Sequence, residues 1–495
     1  MNLSELSQRL LLTRIIGDPS VPIHSLESDS RKVKPGSLFF CLPGHTVDGH
    51  DYAAKAIEMG ASALVTAREL PIGATQLIVP DTRLALAVIA DCFYGHSSHK
   101  LRPIGITGTN GKTTTTYLME QIWSDAGVSA GVIGTIETRY KGQSQPMSGT
   151  TPDVLELQRI FHSMVEAGTE RCVMEVSSHA LEQGRVKGCR FKTAVFTNLT
   201  QDHLDYHGTM EAYEAAKGLF FSRLGNTYSD NAEDRTFAVL NADDEASARF
   251  AKLTSSEVLT YGIENDAHLK ASEVMITANG TSFSLTSFWG NRQVNLRLVG
   301  KFNVYNALAA LGAALCEGIG LDAALSSLER IAGVPGRVEP VNEGQPYAVI
   351  VDYAHTPDGL ENVLKAVNEL TAGNVICVFG CGGDRDTKKR PIMGRIAAEL
   401  ADKIIVTSDN PRSEDPLVIL RDIEAGLKDS GVSPDRYELE PNRRTAIEKA
   451  VEMASPGDVV LIAGKGHETY QIIGGSTLDF DDRLVAKEAI RSRIH

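Results

Sequence analysis

The sequence predicts an α/β protein of three domains, with parallel sheets in the second and third. Three observations carry that prediction. At 495 residues the chain is long enough for about three domains of roughly 100–200 residues each. From residue 337 onward, short apolar runs rich in Val and Ile alternate regularly with helical segments. Between 100 and 336 similar runs are separated by helices, the pattern of strands buried on both faces. The predicted domains are residues 1–99, 100–336 and 337–495.

The first domain opens on MNLSELSQRLLLTRIIGD, an amphipathic helix pattern containing Glu5 and lacking the long apolar centre of a signal peptide. GSLFFCL reads as a strand, YAAKAIEMGA as a helix, SALVTA and QLIVP as strands. YGHSSHKLRP is polar, ends in Pro103 and reads as the linker to the second domain. There IGIT, RCVMEV, TAVFTNL and TFAVLN read as strands. ASEVMITANGTSFSLTSF holds Asn279-Gly280 between two alternating runs, a hairpin signal. KFNVYNALAALGAALCEG returns to a helix. In the third domain YAVIVDYAHTP, NVICVFGCGGDRD, KIIVTSDNPR and DVVLIAGKGHETY are strands that each end in a polar or glycine-rich loop. Open parallel sheets bind ligands beyond the carboxyl ends of their strands, so these loops are expected to gather along one edge.

Composition is that of a soluble globular protein, 42% hydrophobic and 23% charged. A net charge of −14 argues against nucleic acid or an anionic membrane as partner. An anionic substrate would need a locally basic site. No run of ~20 apolar residues occurs, so no membrane span is predicted, and the expected location is cytoplasmic. The seven cysteines are odd in number and form no C-x-x-C pair. Buried free thiols in a reducing compartment are expected. Cys381, in the glycine-rich GCGGDRD, is a candidate reactive thiol without a neighbouring base.

The strongest chemical signal is IGITGTNGKTTTT. A strand runs into Gly108, Thr109, Asn110, Gly111, Lys112, Thr113 and Thr114, then into a helix. The glycines let backbone N–H groups face a phosphate, and the helix N-terminus favours negative charge. Lys112 can reach terminal phosphates and Thr113 can hold Mg²⁺. Ile106 stands where the usual spacing has glycine, so this is a shortened P-loop. Glu175 ends a strand and can offer a carboxylate to that metal. Ser177, Gln183 and Arg185 follow it. Asp202, His203, Asp205 and His207 have metal-ligand spacing, with a second Mg²⁺ more economical than zinc because no cysteine joins them. Lys217 lies in a helix, where a lysine is ordinarily solvated. Asn303 and Asn306 share a helix face, either as caps or as contacts to a base. Arg337 falls at the junction of the second and third domains. Arg412, among Asp409, Glu414 and Asp415, is either a solvated surface group or a fork for an anion.

Together these residues resemble the Mur ligases, ATP-dependent amide-bond-forming enzymes that build the peptide of peptidoglycan, over essentially the whole chain. The resemblance implies a small UDP-binding N-terminal domain, a central P-loop ATPase domain and a Rossmann-like C-terminal domain. It assigns ATP to Gly108 through Thr114, Asn303, Asn306, Arg337 and Asp352. It assigns catalysis to Lys112, Glu175, His203 and Lys217, and two Mg²⁺ ions to Thr113, Glu175, His203 and Lys217, the last as a carbamate (N6-carboxylysine). Ser28, Ser30, His45, Thr46 and Val47 are implied on the uridine nucleotide. Thr150, Thr151, Ser177, Gln183 and Arg185 are implied on its peptide, with Gly149 standing where the family commonly has asparagine.

Within the family, Asp409-Asn410-Pro411-Arg412 resembles the branch that adds meso-diaminopimelate to UDP-MurNAc-L-Ala-D-Glu through an acyl phosphate. Arg385, Gly464 and Glu468 complete the implied amino-acid pocket, and a monomer is expected. The alternatives are the branch that adds L-lysine, a related ligase that extends folate with glutamate, and a nucleotide-gated scaffold. The uridine motif and the Asp409–Arg412 loop argue against the folate enzyme. The polar loops of the third domain argue against a scaffold.

Overall fold

The computed structural model describes residues 1–494 apart from 45, 46, 148, 229 and 278. The chain forms two compact units, 1–105 with 128–192, and 106–127 with 193–495.

In the first unit a five-stranded sheet runs in the order Arg14–Ile16, Gln76–Ile78, Ala61–Thr66, Ser37–Phe40, Ser25–Glu27. All neighbours are parallel except the edge strand Arg14–Ile16. Leu26, Leu38, Phe40, Val65 and Leu77 form its core with Ile89 and Ala90 of helix Thr82–Phe93. Asp81 starts that helix by accepting hydrogen bonds from the N–H groups of Arg83 and Leu84. A parallel pair, Ala130–Ile133 and Arg171–Glu175, lies in the same unit.

Two expectations fail here. The N-terminal pattern is not one long helix: it is helix Leu3–Ser7, closed by an Asn2/Glu5 capping box, followed by strand Arg14–Ile16. Leu11 and Leu12, which completed the amphipathic pattern, are exposed. Pairing of Ile15 and Ile16 with Leu77 and Gln76 outweighs the local periodicity. The linker YGHSSHKLRP contains a short helix, Ser97–Leu101, that buries Ser97, Ser98 and Leu101. It is packed structure rather than a solvated connection.

In the second unit strand Thr193–Phe196 pairs with Phe237–Asn241, which pairs in turn with Glu257–Gly262, both pairs parallel. The hairpin expected at Asn279-Gly280 is present, with Leu269–Thr277 antiparallel to Gly280–Ser287. A separate six-stranded sheet has the order Glu339–Pro340, Ala348–Asp352, Val459–Ala463, Val375–Phe379, Lys403–Thr407, Tyr437–Glu440. Only the first pair is antiparallel. Helices Pro357–Leu370, Lys389–Leu400 and Pro416–Asp429 bury Leu364, Met393 and Ile423 on one face. Helices Arg443–Met453 and Asp482–Ile494 bury Ile447 and Ile490 on the other.

Arg443 and Asp482 form an ion pair with both side chains 0% exposed. Arg443 donates to Asp482 through Nε at 2.8 Å and Nη2 at 2.7 Å. It also donates to the carbonyls of Ser408 (3.3 Å) and Ala463 (3.0 Å). The carboxyl ends of two strands, Lys403–Thr407 and Val459–Ala463, are thereby tied to one cation.

No described helix is long and apolar enough to cross a membrane. All seven cysteines are free. Cys381 is buried, and desolvation pushes its thiol up to about 12, so it is not a thiolate nucleophile.

Candidate active site

The P-loop joins strand Ile104–Thr107 to helix Lys112–Asp125. Its glycines are sterically required. A Cβ on Gly108 (φ +147) would lie 1.9 Å from Thr197 Oγ1, and one on Gly111 (φ +85) 2.3 Å from Asn306 Oδ1. Asn198 braces the loop: its carbonyl accepts from Thr109 N–H at 2.8 Å and its Oδ1 from Asn110 N–H at 2.9 Å. Lys112 Nζ folds back onto the carbonyls of Gly108 and Thr109, at 2.9 and 2.7 Å. Replacing Asn198 by alanine leaves the Asn110 N–H without its side-chain acceptor. A loss of about 1–3 kcal/mol is expected, read as an increase of roughly tenfold or more in KM for ATP with little change in KM for the amino acid.

Arg337 Nη2 donates to Thr113 Oγ1 at 3.1 Å, and the guanidinium lies 4.4 Å from the centre of the Tyr353 ring. Its Nε is buried without a partner among the described residues. Asp352 uses both oxygens on backbone, accepting from Val338 N–H and Ala354 N–H at 2.7 Å each. Val338 has φ +46, a strained conformation for a β-branched residue. Asp352 thus holds the bend that delivers Arg337. Asn110 Nδ2 donates to Asp358 Oδ2 at 2.6 Å. Asn303 bonds the Val299 carbonyl at 2.8 Å and receives Asn306 Nδ2 at 3.2 Å.

Lys217 is buried in helix Met210–Ser222. Its Nζ donates to the Gly108 carbonyl at 2.9 Å and lies 4.4 Å from the Tyr213 ring centre. Burial, and the nearby Lys112 cation, push its ammonium well below the usual lysine range. His203 adopts φ +57 with Nε2 3.4 Å from Asp202 Oδ2. Asp202 faces buried Lys389, 3.6 Å away. Burial opposes its charge, but Lys389, His203 and His355 more than offset this and hold the carboxyl well below its usual range. Among the described residues, Asp202, His203, Asp205 and His207 do not gather into one set of ligand atoms. Burial and Lys389 keep the His355 imidazole neutral despite Asp202, and its Nδ1 lies 2.9 Å from the Tyr353 carbonyl.

The Asp409–Arg412 loop is held from several sides. Asn410 Nδ2 donates to Glu468 Oε2 at 2.9 Å, and its Oδ1 accepts from Ile472 N–H at 3.0 Å. Arg412 sits at φ +56. Its N–H donates to the Ile472 carbonyl at 3.0 Å, and its own carbonyl accepts from Gly474 N–H at 2.7 Å. Its Nη1 donates to the Gly383 carbonyl at 2.7 Å. Arg385 is exposed, its Nη1 on the Asp384 carbonyl at 2.8 Å. A Cβ on Gly382 would approach Arg412 Nη1 at 2.9 Å and Arg385 Cγ at 3.8 Å, so the two arginines flank one glycine. A Cβ on Gly464 would lie 2.6 Å from Asp409 Oδ2, a buried oxygen without a partner. Pro411 is buried within the loop.

In the first unit Glu175 is buried and accepts from Thr135 through both N–H (2.8 Å) and Oγ1 (2.9 Å). Thr135 Oγ1 also meets Thr150 Oγ1 at 3.1 Å. Thr151 Oγ1 accepts from Ser177 N–H at 3.0 Å, and Arg185 donates to the Thr151 carbonyl at 2.9 Å and to Gln183 Oε1 at 3.0 and 2.7 Å. The residues implied on the substrate peptide are therefore one hydrogen-bonded group. Ser28 is half-buried, Ser30 is buried and Val47 is exposed. His45 and Thr46 lie outside the described residues.

Sequence reading missed Asn198, Lys389, Lys465 and Thr135. Each acts through a partner distant in sequence, except Lys465, whose signal was its place in AGKGHE beside Glu468.

Residues 22–94, 106–314 and 336–466 match family models described as the Mur ligase family catalytic domain, the Mur ligase middle domain and the Mur ligase glutamate ligase domain. The chain is 52% identical over 480 residues to a protein of Halalkalibacterium halodurans named UDP-N-acetylmuramoyl-L-alanyl-D-glutamate–2,6-diaminopimelate ligase, covering 97% of each. It is 52% identical over 477 residues to a protein of the same name from Geobacillus thermodenitrificans, covering 96% of each. A solved structure of such a ligase matches 100% of this chain and 99% of its own, with a TM-score of 0.70 and 35% identity. With three family domains in order and about half its residues shared with such relatives along nearly its full length, the chain belongs to the Mur ligase family.

Proposed function

We propose that this protein is an ATP-dependent ligase that joins meso-diaminopimelate to UDP-N-acetylmuramoyl-L-alanyl-D-glutamate, a step in peptidoglycan precursor synthesis. One observation carries the reading. In a chain 52% identical to relatives of that name, the loop that carries Arg412 is bonded through Asn410 to the Glu468 carboxylate, which supports an arginine and a carboxylate acting on one zwitterionic substrate.

The reaction has two steps. The side-chain carboxylate of the D-glutamyl residue attacks the γ-phosphorus of ATP, forming an acyl phosphate and releasing ADP. The amine of diaminopimelate then attacks the acyl carbon, loses a proton and expels phosphate. Lys112 and Arg337 offset charge on the phosphate oxygens, an electrostatic contribution. His355 offers a proton acceptor, though a weak one, because burial and Lys389 lower its imidazole to about 4. With its Nδ1 proton donated to the Tyr353 carbonyl, Nε2 keeps its lone pair, and the neutral ring can take the proton that the amine nitrogen loses once it has bonded to the acyl carbon. Thr150, Thr151, Ser177, Gln183 and Arg185 would orient the acceptor peptide, and Ser28, Ser30, His45, Thr46 and Val47 the uridine nucleotide.

Within the second unit the donor types suit Mg²⁺: Thr113 offers a hard hydroxyl oxygen and His203 an imidazole, while Glu175 in the first unit offers a carboxylate. Lys217 fits only in modified form. A buried amine held neutral is the form that reacts with CO₂, and the carbamate presents an anionic oxygen. Bound there, Mg²⁺ would neutralise the crowded phosphate oxygens.

Phosphate release from ATP is expected to require both the UDP-linked dipeptide and diaminopimelate, and to stop when Mg²⁺ is removed by a chelator. Release without either organic substrate would refute a ligase. Equal turnover with L-lysine at matched concentration would refute diaminopimelate specificity.

A further inference from the structure

Lys465 is the anomaly of the amino-acid pocket. It is a lysine with 0% exposure, in the loop after strand Val459–Ala463. Its Nζ donates to Glu468 Oε2 at 2.9 Å and to Asn410 Oδ1 at 3.2 Å, and lies 5.4 Å from the Tyr470 ring centre. Asn410 donates to the same Glu468 oxygen at 2.9 Å. Lys465, Asn410 and Glu468 therefore form a closed triangle, and every bond into the carboxylate ends on Oε2. Oε1 takes no hydrogen bond among the described residues. The other acid of the loop, Asp409, has its Oδ2 buried and unpartnered. Glu468 thus keeps one oxygen, Oε1, unused, the complement of an ammonium group.

The groups facing Glu468 pull its charge in opposite directions. Burial and the Asp409 carboxylate favour the protonated acid, while Lys465 and Asn410 favour the carboxylate, and the balance leaves its carboxyl above the usual range. Arg443 also faces it from helix Arg443–Met453, as do the Tyr353 and Tyr470 phenols. Lys465 is the one cation bonded to Glu468 among the described residues. Without it, burial and Asp409 would act on Glu468 almost unopposed.

From this geometry we infer that Lys465 is a positioning residue for amino-acid binding: its buried ammonium holds Glu468 ionised, with Oε1 turned out to receive an ammonium group of the incoming diamino acid. The inference rests on the diaminopimelate reading given above. It assigns Lys465 no contact with ATP or with the UDP-linked acceptor.

The test is the pH profile of kcat/KM for meso-diaminopimelate in wild type, Lys465→Met, Glu468→Gln and the double variant, all as full chains. Wild type is assayed first. If diaminopimelate does not stimulate its phosphate release, the functional reading fails and this inference with it. Lys465→Met is expected to raise KM for diaminopimelate tenfold or more at neutral pH. It should also move the acidic limb up by a pH unit or more, because an unopposed Glu468 holds its proton to higher pH. KM for ATP and for the UDP-linked acceptor should stay within about twofold. In the Glu468→Gln background the same substitution should change KM less than threefold. An unmoved acidic limb, or an equal loss in that background, overturns the inference. If Lys465→Met does not fold, Glu468→Gln alone decides: the acidic limb must vanish, and its persistence overturns the proposal.

Discussion

Lys217→Ala is expected to lower turnover by about four orders of magnitude, roughly 5 kcal/mol of transition-state stabilisation. Ordinary surface lysines cost almost nothing to remove. This one is buried beside the P-loop, its Nζ on the Gly108 carbonyl. Its neighbour Lys112 makes a second ammonium at that place unfavourable. On the reading proposed above, a free amine at this position would react with CO₂, turning a cation-forming group into an anionic one. Alanine removes both amine and carbamate. Excess bicarbonate, or another small carboxylate, should restore part of the activity by supplying the missing anion. Wild-type protein stripped of CO₂ should likewise regain activity when bicarbonate is added. Steady-state phosphate release, with intact mass measured for one added CO₂, checks all three. Full activity in the alanine variant would remove the carbamate from the mechanism.

The second large effect is expected at Arg412. Its Nη1 is spent on the Gly383 carbonyl, whereas Nε and Nη2 make no hydrogen bond among the described residues. The backbone is pinned on both sides by Ile472 and Gly474, at a φ of +56 that a non-glycine residue adopts at a cost of about 1–3 kcal/mol. A loop held in that conformation aims its guanidinium. Arg412→Ala should lower kcat/KM for meso-diaminopimelate by about a thousandfold, ~4 kcal/mol, as when one partner of a desolvated charge pair is lost. For L-lysine, which lacks the distal carboxylate, the change should be within a few-fold. Arg412→Lys should fall between, because an ammonium keeps the charge without the fork. Equal losses for both amino acids would mean that Arg412 supports the loop rather than reads the substrate.

Legibility in the sequence followed how local each signal was. The P-loop was legible because its chemistry is local: two glycines, a lysine and a threonine lie within a few residues of a strand end. The strands of the third domain were legible because β-branched runs ending in polar loops are a local signal too. Lys217 and Arg412 were ambiguous as residues, and only family resemblance separated them from solvated side chains. Asn198 and Lys389 were not legible at all. One braces a loop 88 positions away and the other meets Asp202 across the fold. The misread N-terminal helix has the same origin. Residues 11–16 satisfied a helical period, yet the strand pairing that overrules it lies some sixty residues downstream. The resemblance assigned Asp352 to the nucleotide, while in the structure both its oxygens are on backbone N–H groups, beside the bend that carries Arg337.

The strand order of the six-stranded sheet has a bearing on synthesis. Val459–Ala463, the last parallel strand to be translated, sits between Ala348–Asp352 and Val375–Phe379, two of the earliest. Until it emerges from the ribosome, the sheet has a gap at its centre and two open hydrophobic edges, the kind of surface that recruits foreign strands. The Arg443 cation must wait longer still, for Asp482. The loops that would bind the amino acid are therefore assembled only when almost the whole polypeptide exists. A chain cut short after residue 453 would lack both the central strand and the counter-charge, leaving the nascent domain dependent on chaperones and prone to aggregation.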